Sequence, residues 1–423
     1  MRRASLFLLV AFAAASVEAR DRACFQNRGA SRTGQCDSYA FFELAPASGA
    51  GMGSVCACAT PTGAKGESMT FTRTGAATCT KTAAGGFATT GIADGDLVTC
   101  ATNQPRVEYD SAGTLGVLVE GTRTNSVLYS EQFDNAVWTK ANVGGGLLPI
   151  VTANQAIAPD GTLTADRVQF SSCPAAGDDS TIYQGASVGN ATSSVYVKGV
   201  SGSGSISVCQ YNNPANACSV CSFNSSSWTR CDHHFPTAAG ITLILGCEHQ
   251  TSSYPNSTDT GAADVYLWGA QHEAGAYATS YISTGATAVT RGAEAPPTFT
   301  TPSPIGPSFC MAASAWWPLS GVGAVNVLSL GTTAPALAKM GRTSDTAGAF
   351  LINATATTPA VSAVGTTQVR MVLSDASGTR AASWAGSSVS APAASMTGAS
   401  ATVTLGALDG IISRVVVDTT GCQ

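Results

Sequence analysis

Cysteine and histidine are the residues of this chain whose types and spacing most directly suggest chemistry. The 423 residues include 14 cysteines and 4 histidines. The spacings in Cys56–Cys58 and Cys218–Cys221, with His233 nearby, would suit the thiolate and imidazole ligands of zinc. A structural zinc site also needs a second ligand pair at a fixed interval, and the sequence offers none. Because the cysteine count is even, we expect disulfides formed in an oxidising compartment instead.

Carboxylates would be the catalytic groups if the chain cleaved polysaccharides. Glycoside hydrolysis needs two carboxylates held about 5–10 Å apart across the scissile bond. The string Glu-x-Asp-x-x-Glu, which places such a pair along one strand, does not occur in the sequence. A Gly-x-Ser-x-Gly turn for a serine nucleophile is also missing, because the nearest string, Gly202–Gly204, is typical of a flexible hairpin tip. We therefore expect no catalytic residues and no enzymatic activity.

Sugar binding needs a different set of side chains. Aromatic faces stack on pyranose rings, and amides or carboxylates form hydrogen bonds with hydroxyls. Tyr196 and Lys198 share one face of a predicted strand, Val195 and Val197 occupy the other, and Trp384 stands beside a predicted hairpin tip. Four further candidates lie on neighbouring predicted strands or loops. The candidate ligand-binding residues are therefore Tyr196, Lys198, Gln210, Glu248, Gln250, Tyr254 and Trp384.

Composition indicates exported, β-rich domains. Only 11% of residues are charged and the formal net charge is −5, which disfavours long solvated helices. No basic stripe is present to grip phosphates, so we expect no nucleic-acid partner. Residues 1–19 combine Arg2 and Arg3, an apolar run and a small-residue cleavage site, a pattern typical of a secretory signal. The run is too short to span a bilayer, so we expect a secreted, extracellular protein without membrane insertion.

Two stretches of the sequence resemble a known module. They are GTRTNSVLYSEQFDNAVWTK at 121–140 and AADVYLWGAQHEAGAYATSYISTGATAVTRG at 262–292. They resemble the opening and closing strands of a jelly roll found in phage and prophage tail-fibre proteins and in bacterial secreted proteins. The resemblance continues upstream over 68–121. It implies a carbohydrate-binding β-sandwich, with Trp138, Trp228 and Trp268 packed in its framework strands.

The C-terminal sequence resembles a second family. ATVTLGALDGIISRVVVD is similar to the final hairpin of laminin-G and concanavalin-A-like sandwiches. Together the two resemblances imply an all-β fold class, with two β-sandwich (jelly-roll) domains and a small disulfide-rich N-terminal region. The predicted domains are a signal peptide (1–19), a cysteine-rich cap (20–67), a short-strand β segment (68–124), a jelly roll (125–293), a proline-rich linker (294–307) and a concanavalin-A/laminin-G-like sandwich (308–423).

The jelly-roll resemblance also suggests a bound ion. Sugar-binding jelly rolls often hold a structural calcium near their first and last strands, with oxygen ligands from both. Glu131, Asp134 and Asp264 could supply those ligands here. The alternative, which we prefer, is that they are surface or capping carboxylates. We therefore expect no cofactor other than this optional calcium.

Two disulfides can be predicted individually. Cys79 and Cys100 lie in one hairpin-like unit and should pair. Cys310 and Cys422 are the only cysteines after the proline-rich segment, and first and last strands are neighbours in concanavalin-A-like sandwiches. We therefore expect Cys310 and Cys422 to form one disulfide. Within the jelly roll, hairpin proximity favours pairing of Cys209 with either of two later cysteines, Cys218 or Cys221.

These observations predict a secreted, non-catalytic protein that binds surface or matrix carbohydrates. The first alternative is a structural, tail-fibre-like or protein-binding adhesin whose sandwiches serve as spacers, with other surface proteins as partners. The second alternative is a polysaccharide-acting hydrolase whose catalytic residues the sequence does not reveal.

Overall fold

A computed structural model describes most of the chain beyond the N-terminal region. The described residues are 39–43, 70–80, 90–109, 115–185, 188–212, 215–236, 242–249, 261–300, 308–316, 325–330, 338–344, 347–352, 355–357, 369–376, 379–384, 387–392, 402–406 and 410–418. They form strands, turns and loops, so the fold is all-β, as the sequence predicts. No helix in the described ranges has the length and apolar character that a membrane crossing requires. The predicted signal peptide lies outside the described residues.

The strands follow one another through the described ranges with few long connections. The first group is β1 (Tyr39–Glu43), β2 (Thr70–Arg73), β3 (Ala77–Thr80), β4 (Thr90–Ile92), β5 (Leu97–Cys100), β6 (Arg106–Tyr109), β7 (Leu115–Val119) and β8 (Arg123–Asn125). The second group is β9 (Thr139–Val143), β10 (Ile150–Ala156), β11 (Ala165–Phe170), β12 (Asp179–Gly185), β13 (Ala191–Gly199), β14 (Ser203–Asn212), β15 (Ala215–Asn224), β16 (Trp228–Phe235), β17 (Thr242–Glu248) and β18 (Ala263–Ala274). The third group is β19 (Val289–Arg291), β20 (Glu294–Thr300), β21 (Ser308–Trp316), β22 (Val325–Leu330), β23 (Ala338–Ser344), β24 (Ala347–Ile352), β25 (Thr355–Thr357), β26 (Val369–Ala376), β27 (Thr379–Trp384), β28 (Ser387–Pro392), β29 (Thr402–Leu405) and β30 (Gly410–Asp418).

The second group forms a central sandwich of two antiparallel sheets. One sheet has the order β10-β11-β18-β13-β16-β4, and the other has the order β15-β14-β17-β12-β9. Alternation along β13 shows how the core forms: Val195 and Val197 are fully buried between the sheets, whereas Tyr196 faces the opposite side. Burying each such aliphatic side chain stabilises the fold by about 1.5–3 kcal/mol. The core also contains Val168, Ile182, Ile206, Val208, Leu243, Leu245, Val265 and Leu267.

The outer face of the first sheet is also covered. Strand β4 pairs with β16, and Ile92 and Leu97 of the N-terminal segment pack against Tyr196, Trp228 and Trp268. Both tryptophans are at most 1% exposed, in agreement with the packing role predicted for them. Along β13, β16 and β18, this sheet is therefore buried on both faces.

A second sandwich encloses the other large core. Its sheets have the orders β28-β27-β26-β21-β30-β7-β6, with β1 also paired to β30, and β2-β20-β29-β22-β23-β24-β25. Val117 and Val119 of β7 share one buried cluster with Phe309 of β21 and Leu405 of β29. Strands from the N-terminal part of the chain therefore complete sheets formed mainly by residues after 308.

The segment expected to be a proline-rich linker is partly a paired strand. Glu294–Thr300 forms β20, which pairs with β2 on one side and β29 on the other. The β2–β20 register shifts between Thr70 and Thr72, opposite the part of β20 that contains Pro296 and Pro297. Because proline has no N–H to donate, prolines are tolerated in a strand at such an irregularity. The proline content suggested a linker, but residues 294–300 of this segment form a strand that is paired on both sides.

Four disulfides link described cysteines. Cys79–Cys100 joins the paired strands β3 and β5, as the sequence predicts. The pairing left open for Cys209 is with Cys218, which lies directly opposite it on β15. The other two disulfides are Cys173–Cys247 and Cys221–Cys231. Such bonds persist in oxidising compartments.

A buried ionic cluster joins the N-terminal strands to the segment around β19 and β20. Arg106 lies 2.7 Å from both Glu120 and Glu294. Arg291 pairs with Glu120 at 2.8 Å, and Arg73 pairs with Glu294 at 3.1 Å. These five side chains are at most 5% exposed. Although burial opposes ionisation, Arg291 and Arg106 lower the pKa of Glu120 to about 2, so Glu120 keeps its charge.

Candidate functional site

The strongest candidate site lies where the segment after β8 meets the loop after β18. Asn125 fixes this junction from a fully buried position. Its Nδ2 donates to the carbonyl oxygens of Ala270 (3.0 Å) and Ile282 (2.8 Å). Its Oδ1 accepts from the backbone N–H groups of His272 (3.0 Å) and Val127 (3.2 Å). One amide side chain thus holds the two segments together through three hydrogen bonds and orders its own segment through the fourth.

A second set of bonds continues the junction toward the surface. The Ser130 hydroxyl accepts from the backbone N–H of Thr284 at 2.9 Å and lies 2.7 Å from the Tyr281 hydroxyl. The Thr284 hydroxyl donates to the carbonyl oxygen of Val127 at 2.6 Å. Because Ser130, Tyr281 and Thr284 are all buried, they form a rigid base for the residues above them.

Tyr129 stands on this base in a strained backbone conformation. Its φ is +48°, in the left-handed region that bulky side chains rarely adopt. Its N–H donates to Gly285 at 2.8 Å, and its carbonyl accepts from Gln132 N–H (3.0 Å) and Trp138 Nε1 (3.1 Å). These bonds hold the conformation at a cost of about 1–2 kcal/mol. Tyr129 is a half-buried residue.

Glu131 places a carboxylate beside this strained tyrosine. Its Oε1 accepts from the Tyr281 hydroxyl at 2.9 Å and from the Ser283 hydroxyl at 2.8 Å. Burial, followed by the Glu131 charge, raises the pKa of Tyr281 well above its usual value, so the tyrosine stays a donor. The half-buried Glu131 carboxylate is thereby oriented with a second oxygen, Oε2, that has no hydrogen bond among the described residues.

We call Tyr129, Glu131 and Ser283 the Tyr129 surface. It combines a half-buried aromatic residue, a fixed carboxylate and an exposed hydroxyl, and Gln132 and Asp134 are exposed nearby. Rings of this kind stack on pyranose faces, and carboxylates accept hydrogen bonds from sugar hydroxyls. The sequence named Glu131 only as a calcium ligand and did not single out Tyr129, because no residue pattern predicts a left-handed tyrosine.

Of the three residues named as possible calcium ligands, Glu131 and Asp264 have other partners. Glu131 accepts from two hydroxyls, as above, and Asp134 is exposed. Asp264 forms a two-pronged bond with Arg167, with Nε–Oδ1 at 2.8 Å and Nη2–Oδ2 at 2.5 Å. In the ranges that the structure describes, no three Asp, Glu, His or Cys side chains are arranged to hold a metal ion. The proposed ligand set is therefore not brought together.

The predicted binding face on β13 is not an open surface. Tyr196 is 3% exposed, packs edge-on against Trp268 at 5.5 Å, and lies beneath the Arg230 guanidinium at 5.3 Å. Lys198 reaches Asp94 at 3.2 Å and lies over the Trp228 ring. The alternation along the strand was read correctly. The error was that the N-terminal segment covers the face which the sequence left open.

The remaining candidate ligand-binding residues do not form a surface with these two. Gln210 is fully buried and donates to the carbonyl oxygens of Ala191 (3.1 Å) and His233 (2.8 Å), so it serves the interior. Glu248 is 3% exposed at the end of β17. Trp384 ends β27 but its side chain is outside the described part, and the two other candidates, Gln250 and Tyr254, lie outside the described residues.

A second polar site is small. Glu108 is 3% exposed, accepts from the Thr80 N–H at 2.9 Å, and leaves Oε2 without a partner. Arg230 Nε also lacks a partner, and both residues line a cavity of about 20 Å³ with Tyr196 and Tyr281. This volume holds about one water molecule, so the cavity cannot admit a sugar. Burial raises the pKa of Glu108 to about 7.

Comparison with known proteins gives no family assignment. No family model matches the chain, and no curated protein matches it. Among solved structures, it is similar to the tandem CBM22-1–CBM22-2 domain from Paenibacillus barcinonensis Xyn10C (12% identity, 71% of this chain and 98% of that one, TM-score 0.26). It is also similar to domains LG4-5 of the mouse laminin α1 chain (9% identity, 72% and 95%, TM-score 0.22). A third match is Aspergillus kawachii β-fructofuranosidase complexed with glycerol (9% identity, 84% and 80%, TM-score 0.23). TM-scores this low carry nothing about function.

Proposed function

We propose that the protein binds carbohydrate without cleaving it, and that the Tyr129 surface is its contact with the sugar. The observation that carries this proposal is the strained backbone of Tyr129 beside an oriented carboxylate. Glycine would adopt a φ of +48° without strain, yet the position holds a bulky aromatic residue. Backbone strain of this kind is concentrated at functional sites, where the side chain is needed in one direction.

Two hydroxyl groups, and not a second acid, orient the Glu131 carboxylate. Glycosidases need a second carboxylate opposite the first, to activate water or to act as the proton donor. The described partners of Glu131 Oε1 are the hydroxyls of Tyr281 and Ser283, not another acid. Those hydroxyl bonds orient the Glu131 carboxylate, which suits an acceptor of hydrogen bonds from a polyol.

We also propose that the protein is exported and works outside the cell, on surface or matrix glycans. The four disulfides among the described residues support an oxidising compartment, where such bonds persist. A structural, tail-fibre-like adhesin that uses its sandwiches as spacers is the alternative, with proteins rather than sugars as its contacts.

The test is a glycan array screened with the full chain, followed by calorimetry on the best ligand. Tyr129→Gly should abolish stacking and lower affinity by about tenfold or more, since one lost aromatic contact is worth about 1–2 kcal/mol. Its free energy of unfolding should change by no more than about 1 kcal/mol, because relief of backbone strain offsets the lost half-buried ring. Glu131→Gln should weaken binding by a similar factor.

Tyr266→Ala provides the matched control. Tyr266 is a half-buried tyrosine in the same sandwich, but it lies on the regular strand β18. Its loss should leave the affinity unchanged. Full binding by both Tyr129→Gly and Glu131→Gln would refute the site. An array without hits would refute the function, and release of reducing ends that Glu131→Gln removes would favour a hydrolase.

A further inference from the structure

The small cavity beside Glu108 lies at the junction between the two sandwiches. Glu108 belongs to β6, a strand of the second sandwich, and Arg230 belongs to β16 of the central sandwich. The loop after β18 contributes Ser280 and Tyr281 to the wall, and β13 contributes Tyr196. Because strands of both sandwiches line the cavity, a molecule bound in it contacts both of them.

Two polar atoms in the wall of this cavity are shielded from solvent and have no hydrogen-bond partner among the described residues. They are Oε2 of Glu108 and Nε of Arg230. The other polar atoms of the two side chains are engaged, since Thr80 N–H donates to Glu108 Oε1 at 2.9 Å. Arg230 Nη1 donates to the Thr279 carbonyl at 2.7 Å, and its Nη2 donates to the Ser194 hydroxyl at 3.0 Å. Buried polar atoms of native proteins nearly always have a partner, so both atoms require one.

The chemistry of these two atoms limits what can lie between them. An arginine Nε–H only donates, so the bound species must present a lone pair there, which excludes a metal cation and an ammonium ion. Burial raises the pKa of Glu108 to about 7, so near neutral pH its carboxyl is present both as an acceptor and, when protonated, as a donor. Only a species that both donates and accepts suits both forms. An anion only accepts, and the ionised carboxylate repels it.

The size of the cavity sets a second limit. Its volume of about 20 Å³ holds about one water molecule. A buried water needs about two to four polar partners. Glu108 Oε2 and Arg230 Nε are two of them, and Thr78, which also lines the cavity, offers a hydroxyl as a third. Water therefore meets both the volume and the hydrogen-bonding requirement.

We propose that one water molecule is bound in this cavity and bridges Glu108 Oε2 to Arg230 Nε. Through it, β6 of one sandwich is bonded to β16 of the other, at a place where the two atoms do not bond each other directly. A water-mediated bond is nearly as favourable in enthalpy as a direct one. The water is thus a structural ligand of the junction, and the proposal is independent of the carbohydrate site.

A high-resolution crystal structure of the full chain tests the proposal. It should show one ordered water at about 2.7–3.2 Å from both Glu108 Oε2 and Arg230 Nε. An empty cavity, or a direct bond between the two side chains, would overturn the proposal. Crystals soaked in sodium bromide distinguish water from an anion, because bromide scatters anomalously and water does not. A bromide peak between the two atoms would assign the cavity to an anion and would equally overturn the proposal.

Two variants extend the test to solution, where oxygen-17 relaxation dispersion counts the long-lived water molecules inside a protein. Glu108→Met replaces the carboxyl with an apolar group of similar length, so this variant should hold one internal water fewer than the natural sequence. Glu108→Gln is the matched control, because its amide keeps a polar atom at the position of Oε2, and it should hold as many as the natural sequence. Thermal unfolding checks that both variants are folded. Equal counts in all three proteins would contradict the bridge, and if Glu108→Met does not fold, the crystal structure of the natural sequence decides alone.

Discussion

At the scale of single residues, Glu108 makes stability depend on pH. Burial raises its folded-state pKa from 4.5 to about 7, so folding favours the protonated carboxyl. Its stabilising contribution is complete below about pH 4.5 and is lost as pH rises through about 7. At pH 8 the natural sequence should have lost about 3 kcal/mol of this contribution relative to pH 4.5.

The variant Glu108→Gln isolates this effect, because a neutral amide occupies the same volume at every pH. We expect similar free energies of unfolding for the two proteins near pH 5, and a more stable Glu108→Gln at pH 8. Burial lowers the pKa of His233 and of His272 to about 4, so their contribution to the stability of the fold is lost as pH falls below 6.5. Both histidines are present in the natural sequence and in Glu108→Gln, so their contributions cancel when the two free energies of unfolding are subtracted. Urea denaturation at several pH values measures the difference in free energy of unfolding between the two proteins. A difference that does not vary with pH would show that Glu108 is not the source of the pH dependence.

Residue types alone could not identify the candidate site. Alternation along the sequence correctly assigned Tyr196 and Val195 to opposite faces of β13, because alternation is a local property. It could not show that residues 90–100 cover the Tyr196 face, since that contact joins positions about a hundred residues apart. No residue pattern predicts the positive φ of Tyr129 either, because this conformation depends on hydrogen bonds with Gly285 and Trp138. The strand face that each side chain occupies was predictable, and the exposure of that face to solvent was not.

At the scale of elements, strands were easier to predict than their partners. Alternation of residues located β13, and the stretch at 262–292 that resembles closing strands contains β18. Composition failed at β20, where prolines suggested a linker but both neighbouring strands supply hydrogen-bond partners. Pairing between distant strands depends on tertiary packing, which outweighs local propensity. The domain boundaries inferred from sequence therefore stay predictions.

The disulfide between Cys310 and Cys422 is also still a prediction, since Cys422 lies outside the described residues. Its premise is supported, because β21 and β30 are neighbours and Cys310 lies opposite Asp418, four positions before Cys422. Closing a loop of about a hundred residues should stabilise the fold by about 4–5 kcal/mol in the chain-entropy model. Peptide mapping of the unreduced protein should recover the linked pair. Joining of Cys310 to any other cysteine would refute it.

At the scale of the whole molecule, strands from one N-terminal stretch of the chain, residues 70–119, join both sandwiches. Strand β4 joins a sheet of the central sandwich, whereas β2 and β7 join the two sheets of the other one. The ionic cluster lies along this shared region, with Arg73 and Arg106 on β2 and β6 and Glu294 on β20. Because one continuous stretch contributes strands to both sandwiches, we expect the sandwiches to unfold together.

Replacing one acid of the ionic cluster tests this coupling. Glu294→Gln leaves Arg73 and Arg106 with less compensation for their buried charges, and breaking a buried pair from one side costs about 3–5 kcal/mol. Calorimetry should therefore show a large fall in melting temperature. If the cluster couples the sandwiches, the single transition of the natural sequence should also split into two.

The control for this experiment is Asp264→Asn, which removes the Arg167–Asp264 pair. Those side chains are 37% and 38% exposed, so water screens their attraction. This loss should cost no more than about 1 kcal/mol and should leave one transition. The comparison separates burial from charge, because each variant removes one carboxylate. Equal effects of Glu294→Gln and Asp264→Asn would mean that the buried cluster does not hold the molecule together.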